Sequence, residues 1–196
     1  MKVVGLTGSV GMGKSATASM LRTLGIAVHD SDAAVHDSLS PKGSAFSEVI
    51  HTFPKAYNRK NKNIDRQVLG KIIFSDPQEK EKLEAIIHPH VWESQRRFIH
   101  AAKLRRAHMV VLDIPLLYET GSDKKCDEVI VVTAPDFIQR QRVLRRPGMT
   151  QERFNNILAS QMPDFEKRKR ANYVVHTGLG RAHTLQELKK IFKLPS

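Results

Sequence analysis

The sequence is poor in cysteine and in aromatic rings. A single cysteine, Cys126, stands among 196 residues, which excludes an internal disulfide framework and a cysteine-based zinc cluster. Aromatic residues make up 6% of the chain. No aromatic-rich strand of the RNA-stacking type, no helix-turn-helix and no zinc finger can be picked out. No apolar run approaches the roughly 18 to 20 residues needed to cross a membrane. The opening MKVV is too short, and runs too directly into a glycine-rich loop, to read as a signal peptide. Internal repeats and low-complexity linkers are absent as well. What remains is an ordinary globular composition, 40% hydrophobic and 27% charged, sized for one sizeable core with small inserted subdomains. A reducing compartment, the cytoplasm, is the expectation, with no membrane attachment.

Acidic residues are also scarce. Asp and Glu number 20 against 32 Lys and Arg, a net charge of +12, which asks for an anionic partner. The basic residues cluster at RKNK (59–62), RR (96–97 and 105–106), RQRVLRR (140–146) and KRKR (167–170). Solvated helix faces explain most of them, KRKR included, while some can converge on a polyphosphate ligand. Nucleic acid is not expected as a partner, since charge is the only feature in its favour.

Against this background one stretch is specific. GLTGSVGMGKSA (5–16) contains Gly8-Ser9-Val10-Gly11-Met12-Gly13-Lys14-Ser15, the pattern G-x-x-x-x-G-K-S. Its glycines let the backbone curl so that several N–H groups point at phosphate oxygens, and the helix that follows adds its positive end. Lys14 reaches the β- and γ-phosphates and the Ser15 hydroxyl is placed to ligate Mg²⁺. The expected ATP contacts are therefore Gly8, Gly11, Met12, Gly13, Lys14, Ser15 and Ala16, with Mg²⁺ as cofactor.

The pattern lies between a short β-branched run, KVVGLT (2–7), and a helical stretch from Lys14 with Ala18, Leu21 and Leu24 on one face and Gly25 as its stop. Further buried strands are predicted at 26–30, 108–114, 128–134 and 172–178. Near-continuous Val/Ile runs separated by helices indicate an α/β fold with a five-stranded parallel sheet covered on both faces. Residues 40–107 show helical periodicity without a convincing strand. Pro89 makes its long apolar-faced stretch either two helices or one kinked helix. That insertion reads as a helical acceptor subdomain within a core of residues 1–39 and 108–196. Residues 146–165 read as a small helical lid starting at a Pro-Gly break.

Acidic candidates sit at strand ends, where ligands gather in parallel α/β sheets. Asp30 and Asp32 in HDSD offer one carboxylate to accept a hydroxyl proton and one to cap the next helix; spacing alone leaves both roles open. Asp113, ending VVLD, is either a carboxylate that orients Mg²⁺ through water or a helix cap. Arg142 and Arg146 lie one turn apart on one helix face, with Gln139 a turn earlier. At the hinge of a flap they can close over transferring phosphates, and Arg142 is counted with Lys14 among the candidate catalytic residues. His88 precedes a proline without metal-ligand spacing, so a structural hydrogen bond or a substrate contact fits it better than a metal.

Taken in order, these motifs resemble the dephospho-coenzyme A kinase family over nearly the whole length. GLTGSVGMGKS resembles that family's opening. GIAVHDSDAAVHD is similar to its G..V.DAD element, with Asp32 at the family's proposed catalytic base. IDRQVLGKIIFSDPQEKEKLEAIIHPHV resembles the helical acceptor domain, with matches at Arg66, Leu69, Phe74, Leu83, His88 and Pro89, and IPLLYE is similar to the PLL.E signature. The lid matches at Gln139, Arg142, Arg146 and Gln161. Asn172 and Thr177 depart from the family, standing where aspartate and asparagine are common. The resemblance implies a P-loop kinase fold and transfer of phosphate from ATP to the ribose 3′-hydroxyl of dephospho-CoA. It implies substrate contacts at Asp32, Arg66, His88 and Leu117, and ATP contacts extending to Arg142 and Arg146. A monomer, with weak self-association at most, is expected. Another P-loop small-molecule or nucleotide kinase is the alternative, and a nucleic-acid-dependent P-loop ATPase a more distant one.

Overall fold

Runs of valine and isoleucine with no polar interruption cannot face water on either side, and they pair with one another. The structure, a computed structural model, describes residues 1–195. In chain order its elements are β1 (Lys2–Thr7), α1 (Lys14–Thr23), β2 (Ala27–Asp30), α2 (Ser31–Ser38), α3 (Phe46–Thr52), β3 (Tyr57–Asn58), β4 (Asn63–Ile64), α4 (Arg66–Ser75), α5 (Pro77–Leu104), β5 (Met109–Asp113), β6 (Glu128–Thr133), α6 (Asp136–Leu144), α7 (Gln151–Ala159), α8 (Asp164–Arg170), β7 (Tyr173–His176) and α9 (Arg181–Ile191). They divide into two compact units, Asp30–Ala101 and the remainder of the described chain.

The larger unit is built on a sheet of order β2-β5-β1-β6-β7, the five-stranded parallel α/β arrangement expected from the sequence. Val4 stands opposite Val111, Leu6 opposite Ile130 and Val132 opposite Val175. These residues and Leu21 of α1 and Leu188 of α9 are almost completely buried in one cluster. Each such side chain contributes about 1.5–3 kcal/mol through loss of apolar surface to water. Because the strands are parallel, the loop after β1, Asp113 at the end of β5 and Thr133 at the end of β6 all emerge at one edge of the sheet.

The smaller unit has its own apolar cluster, in which Val49, Phe53, Leu69, Leu83, Ile86, Ile87 and Val91 are buried. α5 runs unbroken through Pro89, so of the two possibilities the single helix is realised. The unit also holds an antiparallel β3–β4 pair that the sequence does not reveal. Two residues per strand are too few to show alternation. The turn between them, which carries the RKNK cluster, is held by Asn58 Oδ1 accepting from Lys60 N at 3.0 Å.

The KRKR run requires a correction. Arg168 pairs with Asp164 at 2.8 Å on the surface, but Lys167 is fully buried, its Nζ 2.8 Å from Glu119 Oε1. Helical spacing in α8 turns that lysine inward while its neighbours stay in water. Glu119 also accepts from Met162 N at 2.8 Å. Burial pushes the Glu119 carboxyl up, but the Lys167 ammonium and the backbone donors outweigh it, so its pKa lies below the usual 4.5.

A depressed carboxylate adds stability that is present above its unfolded pKa and lost as pH falls through the lower folded value. Acid unfolding followed by circular dichroism should therefore show a loss of stability below pH 4.5 that Glu119→Gln largely removes. At neutral pH the same substitution should cost about 3–5 kcal/mol by leaving the lysine buried and unpaired, with Glu119→Gln/Lys167→Met recovering much of it in urea titrations.

Candidate active site

Glycine is needed in the loop after β1 for reasons visible in its surroundings. Gly11 and Gly13 have φ of 78° and 92°, in the region that L side chains avoid. A Cβ on Gly13 would fall 2.8 Å from Thr177 Oγ1, and one on Gly8 would fall 2.7 Å from the Val132 carbonyl oxygen. The loop is thus packed against β6 and the end of β7. Met12 is buried with its sulfur accepting from Ala134 N at 3.1 Å, so this expected ATP contact can offer its backbone but not its side chain. Ser15 and Ala16 lie exposed in the first turn of α1, where unpaired helical N–H groups favour an anion.

Lys14 begins α1, and its Nζ donates to Asp113 Oδ1 at 2.6 Å. The Asp113 side chain is only 4% exposed and that of Lys14 15%. Asp113 therefore stands in the site as the partner of the loop lysine. Both ions are mostly withdrawn from water, so either would be costly to leave alone.

Arg142, on α6, points to the other flank of the loop. Its Nη1 and Nη2 donate to Thr177 Oγ1 at 2.9 Å and Thr177 O at 2.8 Å, and the Thr177 hydroxyl donates to Met12 O at 2.7 Å. Arg142 and Thr177 line a cavity of about 280 Å³ with Gly13, Ala16, Thr17 and Arg181. Arg146 lies exposed just past the end of α6. Leu117 is completely buried, within 3.0 Å of where a Gly5 Cβ would sit. Its side chain is packed in the core.

In the smaller unit Asp30 caps α2, its Oδ1 accepting from Ala33 N at 2.9 Å. Of the two HDSD aspartates, Asp30 thus takes the capping role. Asp32 is exposed in the first turn of α2, and its neighbour Ser31 is buried and held by Gln95 Nε2 at 3.0 Å. Arg66 opens α4 and its Nη2 donates to His36 O at 3.4 Å. His88 stacks on Trp92, ring centroids 5.8 Å apart and 26° between planes. Asp32, Arg66 and His88 thus belong to one unit, and the phosphate-loop residues with Arg142 and Arg146 to the other.

Thr177 is a residue that sequence reasoning did not place in the site. Its position off the family pattern marked it as unusual, but nothing local showed that it would link the loop, β7 and Arg142. Among the described residues no group of three or more His, Cys, Asp or Glu is arranged to hold a metal, and no helix is long and apolar enough to cross a membrane.

A parallel α/β sheet carrying a G-x-x-x-x-G-K-S loop on its carboxyl edge defines a P-loop nucleotide-binding protein. Residues 2–180 match the family described as CoaE, dephospho-CoA kinase. The chain belongs to the dephospho-CoA kinase family. It is 48% identical to the dephospho-CoA kinase of Rhodospirillum rubrum, over 95% of this chain and 88% of that one. The crystal structure of TT1252 from Thermus thermophilus aligns over 100% of this chain and 98% of its own, with 33% identity and a TM-score of 0.83. The dephospho-CoA kinase from Campylobacter jejuni aligns over 97% and 95%, with 26% identity and a TM-score of 0.72.

Thr177→Val keeps the shape of the side chain while removing the hydroxyl, leaving Met12 O and a guanidinium N–H without their partner. Losing about 1–1.5 kcal/mol should weaken ATP binding about five- to tenfold, read by titration calorimetry. Lys14→Ala should cost more, because it removes the cation of the loop and with it the 2.6 Å ion pair to Asp113.

Proposed function

We propose that this chain catalyses the last step of coenzyme A biosynthesis, transferring the γ-phosphoryl group of ATP to the ribose 3′-hydroxyl of dephospho-CoA. The observation that carries the reading is Lys14 held on buried Asp113 at 2.6 Å beside a glycine-curled loop. It is a phosphate-binding lysine kept in place by a carboxylate. Membership in the dephospho-CoA kinase family supplies the acceptor.

In this reading the N–H groups of the loop and the first turn of α1 bind the triphosphate, and Lys14 leaves Asp113 for the phosphate oxygens. Ser15 offers the one direct hydroxyl ligand for Mg²⁺, and Asp113, once released, a carboxylate to orient a metal-bound water. A site this poor in carboxylates suits an ion that keeps most of its ligands as phosphate and water. When bound, Mg²⁺ would neutralise charge on the β- and γ-phosphates. Arg142, hydrogen-bonded to Thr177, walls the cavity beside Ala16 as a nucleotide contact, while exposed Arg146 is the arginine available to the moving group.

Asp32 accepts the proton of the 3′-hydroxyl as its oxygen forms a bond to γ-phosphorus. The bond from γ-phosphorus to the bridging oxygen breaks, and ADP carries away the electron pair. Arg66 and His88 are assigned to the acceptor, the 30–101 unit to acceptor binding and residues 146–165 to a lid that excludes water. The proposed setting is the cytoplasm, with the protein a monomer and ATP and dephospho-CoA its partners. There Cys126, whose thiol is pushed up to about 11 by burial, stays protonated and unreactive.

Incubation with ATP, Mg²⁺ and dephospho-CoA should yield a product heavier by one phosphoryl group in mass analysis; its absence from folded protein would overturn the reading. Asp32→Asn should lower kcat by about 10²–10⁴-fold while the KM for ATP stays within about threefold. Near-normal turnover would remove Asp32 as the base.

A further inference from the structure

Two glutamines that the mechanism does not use meet at one residue of the phosphate loop. Gln161 Oε1 accepts from Val10 N at 3.0 Å, and Gln139 Nε2 donates to Val10 O at 2.8 Å. Gln139 lies in α6, before α7, and Gln161 just after it. The segment between them, which carries α7 and most of the assigned lid, is therefore tied on both sides, at its stems, to the same loop residue. We propose that Gln139 and Gln161 are positioning residues that latch the lid stems to Val10, setting the shape of the phosphate loop for the triphosphate.

Several observations make the latch rigid. Gln139 is buried and sits one helical turn before Arg142, which holds Thr177 and through it Met12. The residues after Gln161 are anchored too. Met162 N donates to Glu119, and Asp164 Oδ2 accepts from Thr133 Oγ1 at 2.9 Å. Stems fixed in this way fix their amide groups, and with them the peptide groups on either side of Val10. Gly11 follows immediately with φ of 78°, so nothing in its own side chain holds the backbone there. External partners must do so.

The two amides are not interchangeable. Gln161 faces an N–H and must present its oxygen, whereas Gln139 faces a carbonyl and must present its nitrogen. This asymmetry allows a test in which added charge cancels. Gln161→Glu keeps an acceptor for Val10 N–H, while Gln139→Glu offers the Val10 carbonyl no donor, yet each adds one negative charge near the loop.

The proposal rests on the ATP-binding part of the function above, and the test reads binding apart from turnover. Affinities for ATP and for inorganic tripolyphosphate are measured by calorimetry, with the KM for dephospho-CoA and the melting temperature alongside. Gln139→Met and Gln161→Met should each weaken both phosphate ligands about tenfold, for one lost hydrogen bond in a partly buried site, with the KM for dephospho-CoA within twofold. Because both act on one residue, the double variant should lose less than the product of the two single losses. Gln139→Glu should weaken ATP at least threefold more than Gln161→Glu, and this comparison stands if either methionine variant fails to fold. ATP affinity within twofold of wild type in both methionine variants would overturn the latch. So would equal losses in the two glutamate variants, or parallel losses for ATP and dephospho-CoA. Wild-type protein that binds tripolyphosphate but phosphorylates no dephospho-CoA would refute the function while leaving the latch measurable.

Discussion

The ion pair between Lys14 and Asp113 is the constraint around which the site is organised. Two charges held 2.6 Å apart with side chains 15% and 4% exposed have given up most of their hydration. That costs several kcal/mol per ion unless each has a partner. The pair keeps the lysine extended along the sheet edge before any ligand arrives, so its side chain is already ordered when phosphate comes. In the function proposed above, binding a triphosphate exchanges one anion for another, with the desolvation of the lysine already met by folding. In that proposal the same contact serves two parts of the site, since it orders the lysine for phosphate and keeps the Asp113 carboxylate at the end of β5.

Around that contact the loop has little rigidity of its own. Glycines at 8, 11 and 13 permit its path but do not enforce it, since glycine loses more freedom on ordering than any other residue. The enforcement comes from outside. β6 closes against Gly8, Thr177 against Gly13, the sulfur of Met12 fills a buried position, and two glutamines hold Val10. The partners lie far away in sequence, in and just after β6, in α6, after α7 and just after β7. A correctly curled loop therefore reports that the rest of this unit has folded.

That distance explains what was legible in the sequence and what was not. The loop pattern, the β-branched strands and the start of α1 are written in contiguous residues, and the sheet followed from them. The two possible roles of Asp30 and Asp32 were also legible, since a cap needs only a neighbour three residues on, and Asp30 indeed accepts from Ala33 N. Lys167 was not legible. On a short basic helix every lysine looks solvated until Glu119, on a distant loop, claims one of them. The burial of Leu117 was not legible for the opposite reason, because a residue within a family signature can also be held by core packing. Thr177 and the glutamine pair make hydrogen bonds that no spacing rule encodes.

The charge of the chain follows the same logic. Of only 20 acidic residues, several are already committed to structure. Asp113 holds Lys14, Glu119 faces Lys167, Asp164 binds Arg168 and Thr133, and Asp30 and Asp65 cap helices. Pairing redistributes these charges without changing their sum, so the surplus of +12, from 32 basic against 20 acidic residues, acts through the field around the molecule. Such a field draws polyanions of any kind and weakens with salt. It raises the encounter rate with a triphosphate and a pyrophosphate-bearing acceptor alike without distinguishing between them. Discrimination must come from short-range features, which in the function proposed above are the loop for one ligand and Asp32, Arg66 and His88 for the other. Positive charge in this protein accordingly explains why such ligands arrive, and the fixed hydrogen-bond geometry explains which of them are retained.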